Sequence, residues 1–207
     1  EEGKLDFEDK LSDMLPEFQH KRVKDITLHH LLAHRSGIRD YGLLQMAGEL
    51  PLNLTRDQMF TEIGKMDLKF EPGSKFNYSN SGYMLLGAII ENNREKPLKE
   101  IMRERIFEPL GMHNTSMTHK YELDELPQYF LQDGTVYQED EVVIYGGDGA
   151  EVSTMDDMYT FMMALGSDKL LSKAMWDLAF TPHSFPNEVP EDAWPPPHQD
   201  PYGYGFS

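Results

Sequence analysis

The sequence predicts a single, mostly helical domain. Capped apolar runs with helical spacing recur along most of the chain. Short, alternating, turn-broken segments typical of strands are confined to residues 114–146 and to the last few residues. No repeat or linker divides the 207 residues, and 39% are apolar, which is enough to fill one core.

Two helices are predicted in the first third of the chain. Residues 26–38 combine Thr27 as a cap, an apolar stripe, and Gly37 as a left-handed stop. Residues 55–66 begin at a second threonine cap, Thr55.

Two further helices are predicted around the middle of the chain. The run from Ser81 to Asn92 is apolar nearly all round, which predicts burial on most sides, and Gly82 and Gly87 would allow another backbone to approach. The next helix is predicted to have Pro97 in its first turn and to end at Pro109.

The last third of the chain again has helical signals. Residues 153–166 have Thr154 and Asp157 at capping-box spacing and Gly166 as a stop, and Ser172 is expected to cap one more helix. Residues 202–206 have the beginning of a strand pattern.

Charge and cysteine content exclude several classes of function. The chain carries 19 Lys+Arg against 36 Asp+Glu, a net charge of −17, which disfavours binding to nucleic acid or to an anionic membrane surface. No cysteine is present, so disulfides, thiol nucleophiles and thiolate metal ligands are excluded. No apolar run approaches the roughly 20 residues that cross a bilayer.

A polar triplet, Tyr78-Ser79-Asn80, stands directly before the apolar helix that is predicted from Ser81. One interpretation is structural: Ser79, Asn80 or Ser81 caps the helix, and Tyr78 packs beneath it. The other interpretation is functional: the phenol and the amide are aimed into a pocket. The triplet alone leaves both open.

Several stretches together resemble the serine β-lactamase and penicillin-binding-protein superfamily, in the branch with class C β-lactamases, DD-peptidases and related esterases. The resemblance implies an α+β, β-lactamase/transpeptidase-like fold, of which this chain would be mostly the helical part, with much of the antiparallel sheet missing. The stretches follow the family's order over nearly the whole chain: "EEGKLDFEDKLSDMLPEF", "ITLHHLLAHRSGI", "FNYSNSGYMLLGAIIE", "IFEPLGMHNTSM", "GGDGAEVSTMDDMYTFM" and "YGYGF".

In this branch the middle catalytic motif is Tyr-x-Asn, and Tyr78-Ser79-Asn80 matches it. The resemblance implies that Tyr78 is the general base for a serine that forms an acyl-enzyme. Asn80 would offer its amide to the substrate and to the catalytic lysine, and Ser79 would point away. Tyr41 is a candidate substrate-binding residue at the mouth of the site, although a plain loop at residues 40–41 is the other interpretation.

The family's nucleophile motif, Ser-x-x-Lys, does not occur, because no serine has a lysine three positions later. In the family this motif would precede Glu1, and the Lys/His-x-Gly strand would follow Ser207. We therefore expect residues 1–207 to be a single incomplete domain. A tyrosine base must lower its pKa from near 10 to about 7, roughly 4 kcal/mol in favour of the phenolate, which requires nearby cations. The 207 residues alone are predicted to be inactive.

Other residue clusters carry weaker signals. His30 and His34 are one helical turn apart and His29 is adjacent, but a zinc site needs a third ligand and a second shell, so neither metal nor cofactor is expected. "GGDG" at 146–149 lacks nucleotide-loop spacing and is interpreted as a backbone turn. Trp194 and the prolines after it could form a ligand-facing loop or a stiff surface.

The expected activity is that of a serine hydrolase acting on β-lactams, D-amino-acid peptides or small esters. The alternatives are a non-catalytic, penicillin-binding-like module for a peptide or partner, and a metal hydrolase that uses the histidines. The resemblance also suggests export from the cytoplasm, whereas the sequence leaves the oligomeric state open.

Overall fold

The computed structural model describes residues 2–117, 145–149, 151–190 and 200–207. These form nine α-helices and one small antiparallel sheet. The helices are α1 Leu11–Met14, α2 Leu28–Leu32, α3 Tyr41–Met46, α4 Arg56–Lys65, α5 Asn80–Arg94, α6 Leu98–Met102, α7 Glu108–Leu110, α8 Met155–Ala164 and α9 Lys173–Phe180. Strands β1 Ser116–Met117 and β2 Glu151–Val152 pair with Ser116 opposite Val152. Trp194 and residues 118–144 lie outside the described residues.

Helix α5 is the centre of the main core. Its buried side chains, from Met84 to Ile89, pack among residues of α1 to α4. A smaller apolar cluster joins α6, β1 and the segment between them through Leu98, Phe107, Met112 and Met117. The predicted burial of α5 is confirmed on most sides, with Ile90 exposed at 38%.

Local caps explain where four helices begin. Thr55 and Gln58 form a capping box at α4, and the hydroxyl oxygens of Thr154 and Ser172 accept backbone N–H groups at the starts of α8 and α9. Ser79 does the same for α5. The helices predicted at 55–66, 81–92 and 153–166 are confirmed within two residues at each end, and the helix predicted to be capped by Ser172 begins at Lys173.

The helix predicted over 26–38 is much shorter than expected. Thr27 caps α2 as predicted, but the helix ends at Leu32 because His34 adopts a left-handed backbone with φ 53°. The left-handed stop therefore comes three residues before Gly37, and residues 34–41, which lead from α2 to the start of α3, are called the arm.

Two other boundaries were predicted wrongly. Pro109 does not end the helix after Pro97: a π-helical turn at Arg103–Phe107 precedes this proline, and the helix ends only at left-handed Gly111. Residues 40–41 are not a plain loop, because the Asp40 carboxylate accepts the Leu43 N–H at 2.8 Å and caps α3.

The end of the chain contributes one bridge and no longer strand among its described residues. Tyr202 pairs with Ser184 as an isolated antiparallel bridge, with Tyr202 N–H to Ser184 O at 2.9 Å. Helices within the described ranges are all too short or too polar to cross a bilayer.

Candidate active site

The triplet Tyr78-Ser79-Asn80 lies at the amino end of α5. Ser79 is 2% exposed; its hydroxyl accepts the Gly82 N–H at 3.4 Å and donates to the Ile38 carbonyl at 3.3 Å. Tyr78 and Asn80, on either side, are each partly exposed. The middle residue is therefore the structural cap, while its two neighbours keep contact with the surface.

His34, in the arm that follows α2, contacts the triplet through both its backbone and its ring. Its carbonyl accepts the Asn77 N–H at 3.0 Å, and its Nδ1 accepts the Ser79 N–H at 3.1 Å. The imidazole and the Tyr78 phenol lie with ring centroids 4.4 Å apart. These contacts hold the backbone on both sides of Tyr78.

Asp40, at the other end of the arm, holds the next residue of the triplet. Its carboxylate accepts the backbone N–H of Asn80 as well as that of Leu43, so one side chain joins the starts of α3 and α5. Acceptors at helix starts are stabilising, because they satisfy N–H groups that have no partner inside the helix.

A third contact between the arm and α5 uses Ser81. Its hydroxyl donates to the Arg39 carbonyl at 2.7 Å and accepts the Tyr41 N–H at 2.8 Å, and the residue is fully buried. Residues 34–41 and 77–81 are thus joined along their length by buried and partly buried hydrogen bonds, which fixes where Tyr78 and Asn80 emerge.

The electrostatic surroundings of Tyr78 oppose ionisation. Partial burial raises the pKa of its phenol, and the nearby carboxylates of Asp40 and Asp148 raise it further. At neutral pH the phenol is therefore protonated in this chain. A phenolate here would need cations close enough to outweigh both carboxylates.

Asp148 reaches the site because the turn at 146–149 packs directly on α5. Gly146 and Gly147 have φ of 82° and 86°, and a Cβ on Gly147 would collide with the backbone of Tyr83. The turn interpretation of "GGDG" is confirmed. Its aspartate was not predicted as a site residue, since a single acid in a glycine turn carries no recognisable signal.

Tyr41 is 6% exposed, and its hydroxyl donates to Asp148. Burial raises the pKa of both groups, and the negative charge of Asp148 adds to the effect on the phenol. The second carboxylate oxygen, Oδ1, is buried and has no hydrogen-bond partner among the described residues. The structure thus gives Tyr41 an internal contact, and its substrate-binding role stays a prediction.

The histidines near α2 each make a different contact. His29 Nδ1 lies 2.7 Å from the Tyr204 hydroxyl, and His30 Nδ1 accepts the Thr27 N–H at 3.3 Å to complete the capping box. His34 accepts the Ser79 N–H in the triplet. Over the residues that the structure describes, no group of three or more His, Cys, Asp or Glu side chains is arranged to hold a metal ion.

A family model and several known proteins match this chain. The family model described as Beta-lactamase matches residues 1–207. The chain is 30% identical to Penicillin-binding protein 4* of Bacillus subtilis (strain 168) over 227 residues, covering 100% of this chain and 47% of the relative. This chain spans about half the length of the curated relatives that it matches, at 47% and 46% of two of them.

Two solved structures have a similar fold. The octameric penicillin-binding protein homologue from Pyrococcus abyssi gives a TM-score of 0.75 at 26% identity, covering 99% of this chain and 48% of that one. The D-stereospecific amidohydrolase from Streptomyces sp. gives 0.75 at 25% identity, covering 99% and 64%. The predicted β-lactamase/transpeptidase-like fold is confirmed.

Proposed function

Because the chain belongs to the beta-lactamase family, we propose that it supplies the general base and a substrate-binding amide to a serine hydrolase that works through an acyl-enzyme. Tyr78 is the base, and Asn80 is the amide. Tyr-Ser-Asn at the start of a buried helix carries this proposal: Ser79 is turned inward as a cap, so that the two side chains beside it share one rigid support.

In the proposed reaction, a serine hydroxyl attacks the substrate carbonyl while Tyr78 removes its proton and passes it to the leaving group. Water or an amine then resolves the acyl-enzyme. Asn80 donates its side-chain N–H to a carbonyl of the substrate and accepts from the lysine of the nucleophile motif. Tyr41 borders the site, where its contact with Asp148 would have to loosen before it could bind substrate.

The state of Tyr78 in this chain supports a requirement for cations from outside it. Burial, Asp40 and Asp148 all raise the pKa of the phenol, whereas a base at neutral pH needs it lowered to about 7. The lysine of Ser-x-x-Lys and the cation of Lys/His-x-Gly would reverse the local potential. We therefore propose that the 207 residues alone do not acylate.

Mass spectrometry after incubation with a fluorescent penicillin tests this point. The 207-residue polypeptide is expected to keep its unmodified mass, and the whole protein that carries this sequence is expected to gain one adduct. An adduct on the 207 residues would contradict the proposed need for outside cations.

The substrate class is proposed to be D-amino-acid amides or peptides, with β-lactams and small esters as the other candidates. Support comes from the similarity to a D-stereospecific amidohydrolase. Rates of the whole protein with a D-alanine amide, the L enantiomer, a cephalosporin and a short-chain ester decide among these classes. Faster hydrolysis of the L-amide or of the ester would overturn the preference.

A non-catalytic module that binds peptide or a partner is the second candidate, and the raised pKa of Tyr78 favours it. It would bind penicillin or a D-peptide reversibly, whereas the hydrolase would form a covalent adduct. Export from the cytoplasm also stays part of the proposal and rests on the penicillin-binding relatives. Cell fractionation with an antibody against residues 2–117 would test it.

A further inference from the structure

His34 stands out because it combines a buried side chain with an unusual backbone. It is one of two non-glycine residues in the described part of the chain with positive φ, at 53°, and it is 2% exposed. A residue with a Cβ is strained in this left-handed region of backbone space, which lowers the stability of the fold. The left-handed turn directs its ring back across the triplet at the start of α5, where the contacts of its ring and carbonyl converge.

The hydrogen bonds define the state of the ring. A backbone N–H can only donate, so Nδ1, which lies 3.1 Å from the Ser79 nitrogen, must be the unprotonated nitrogen of a neutral imidazole. The proton is then on Nε2, which donates to the Tyr202 hydroxyl at 3.2 Å. The imidazole thus links the triplet to the end of the chain.

Tyr78 is held on three sides by this one residue. Its preceding neighbour, Asn77, donates to the His34 carbonyl at 3.0 Å, and its following neighbour, Ser79, donates to the ring. The phenol itself packs on the imidazole at 4.4 Å between centroids. Fixing the peptide groups on both sides of one residue restricts its φ and ψ, and ring packing restricts its side chain.

We propose that His34 is a positioning residue whose Nδ1, by accepting the Ser79 N–H, holds Tyr78 in the orientation that proton transfer requires. This inference rests on the proposed role of Tyr78 as general base. A base must lie within hydrogen-bond reach of the proton it removes, and small misplacements lower the rate of the chemical step more than substrate binding.

Three variants of the whole protein test the proposal. In His34→Asn the amide oxygen lies near the position of Nδ1 and can still accept from Ser79. His34→Gln instead places its polar end toward Tyr202. Tyr202→Phe removes the partner of Nε2 and leaves the Ser79 contact intact, so it is the matched control.

His34→Gln is expected to lower kcat by about 10- to 100-fold with KM within about twofold, because only the positioning of the base is lost. His34→Asn and Tyr202→Phe are expected to keep kcat within about threefold of the original. A His34→Gln variant as active as His34→Asn would overturn the proposal, as would an equal loss in Tyr202→Phe.

A spectroscopic measurement separates this proposal from the proposed function and does not depend on whether a variant folds. In the unsubstituted protein with nitrogen-15 histidine, Nδ1 of His34 is expected to have the shift of an unprotonated nitrogen at neutral pH. A protonated Nδ1 would overturn the positioning role even in an active enzyme. If the Nδ1 shift is as expected but the protein turns over no substrate, the geometry around His34 stands and the proposed hydrolase function is rejected.

Discussion

Helices α5 and α8 begin in the same way and end up in different environments. Each starts at a hydroxyl that accepts an N–H three residues later, from Ser79 in α5 and from Thr154 in α8. In α5 every residue from Met84 to Ile89 is buried, whereas α8 exposes Met155 at 84% and Tyr159 at 66%.

The partners of the two helix starts account for this difference. At α8 the contact comes from a short loop: Asp157 accepts the Asn114 N–H at 2.7 Å and the Thr115 hydroxyl at 2.9 Å. At α5 a whole arm, residues 34–41, runs beside the triplet. A cap fixes where a helix begins, but a second segment is needed to aim the side chains beside the cap. The substitutions below test that distinction.

The largest contrast is expected between two tyrosines. In the whole protein, Tyr78→Phe should lower kcat by about 10²- to 10⁴-fold, because the phenol oxygen is the proposed proton acceptor. Tyr159→Phe, on the exposed face of α8, should leave kcat unchanged. Steady-state kinetics on a D-amino-acid amide measures both, and a Tyr78→Phe enzyme with a third of the original kcat would remove Tyr78 from the mechanism.

The next contrast concerns two glycines with positive φ. Gly147→Ala should lower the free energy of unfolding by about 3–5 kcal/mol, because the new Cβ meets the backbone of Tyr83 in addition to the cost of φ 86°. Gly166→Ala, at φ 75° with open space around it after α8, should cost about 1 kcal/mol. Urea unfolding of both variants measures the two losses in the free energy of unfolding. Equal losses would mean that the contact with α5 adds nothing to the cost of Gly147→Ala.

A smaller contrast compares the caps themselves. Ser79→Ala should cost about 2 kcal/mol, because it removes the cap and leaves the buried Ile38 carbonyl without the hydroxyl. Thr154→Ala should cost about 1 kcal/mol, the usual loss for a cap. If the two variants unfold at the same urea concentration, the arm does not strengthen the α5 cap.

The smallest effect expected is electrostatic. Asp148→Asn should lower the pKa of Tyr78, since removing a negative charge makes the phenolate less unfavourable. Glu151→Gln is the matched control, because burial also raises the pKa of Glu151 but this carboxylate does not contribute to the shift of Tyr78. Carbon-13 NMR of labelled tyrosine follows both titrations, and a rise in Asp148→Asn would contradict the sign.

The parts of the fold that follow from local chemistry could be predicted from the sequence. The helices capped by Thr55, Ser79 and Thr154 lie within two residues of their expected bounds, and the helix capped by Ser172 begins where expected, because a cap and an apolar stripe are encoded over a dozen neighbouring residues. Helix α3 was missed although Asp40 is a usual capping residue, since its six residues are too few to show a period.

Other features depend on residues far apart in the chain. The left-handed turn at His34 ends α2 early because the ring finds its partners at positions 79 and 202. The pairing of Tyr41 with Asp148 joins residues 107 positions apart. Neither could be inferred without the fold. The triplet was recognisable as a candidate, but the raised pKa of Tyr78 follows from its burial and from two carboxylates that sequence spacing does not bring together.

The turn at Gly147 meets helix α5 at Gly87 with no side chain between them: a Cβ on Gly87 would lie 3.0 Å from the Gly146 carbonyl oxygen. Main-chain atoms have one size in every protein, so this separation cannot drift as neighbouring side chains are exchanged. The volume and composition of the surrounding core can therefore be redesigned while the Asp148 carboxylate stays at the same distance from α5.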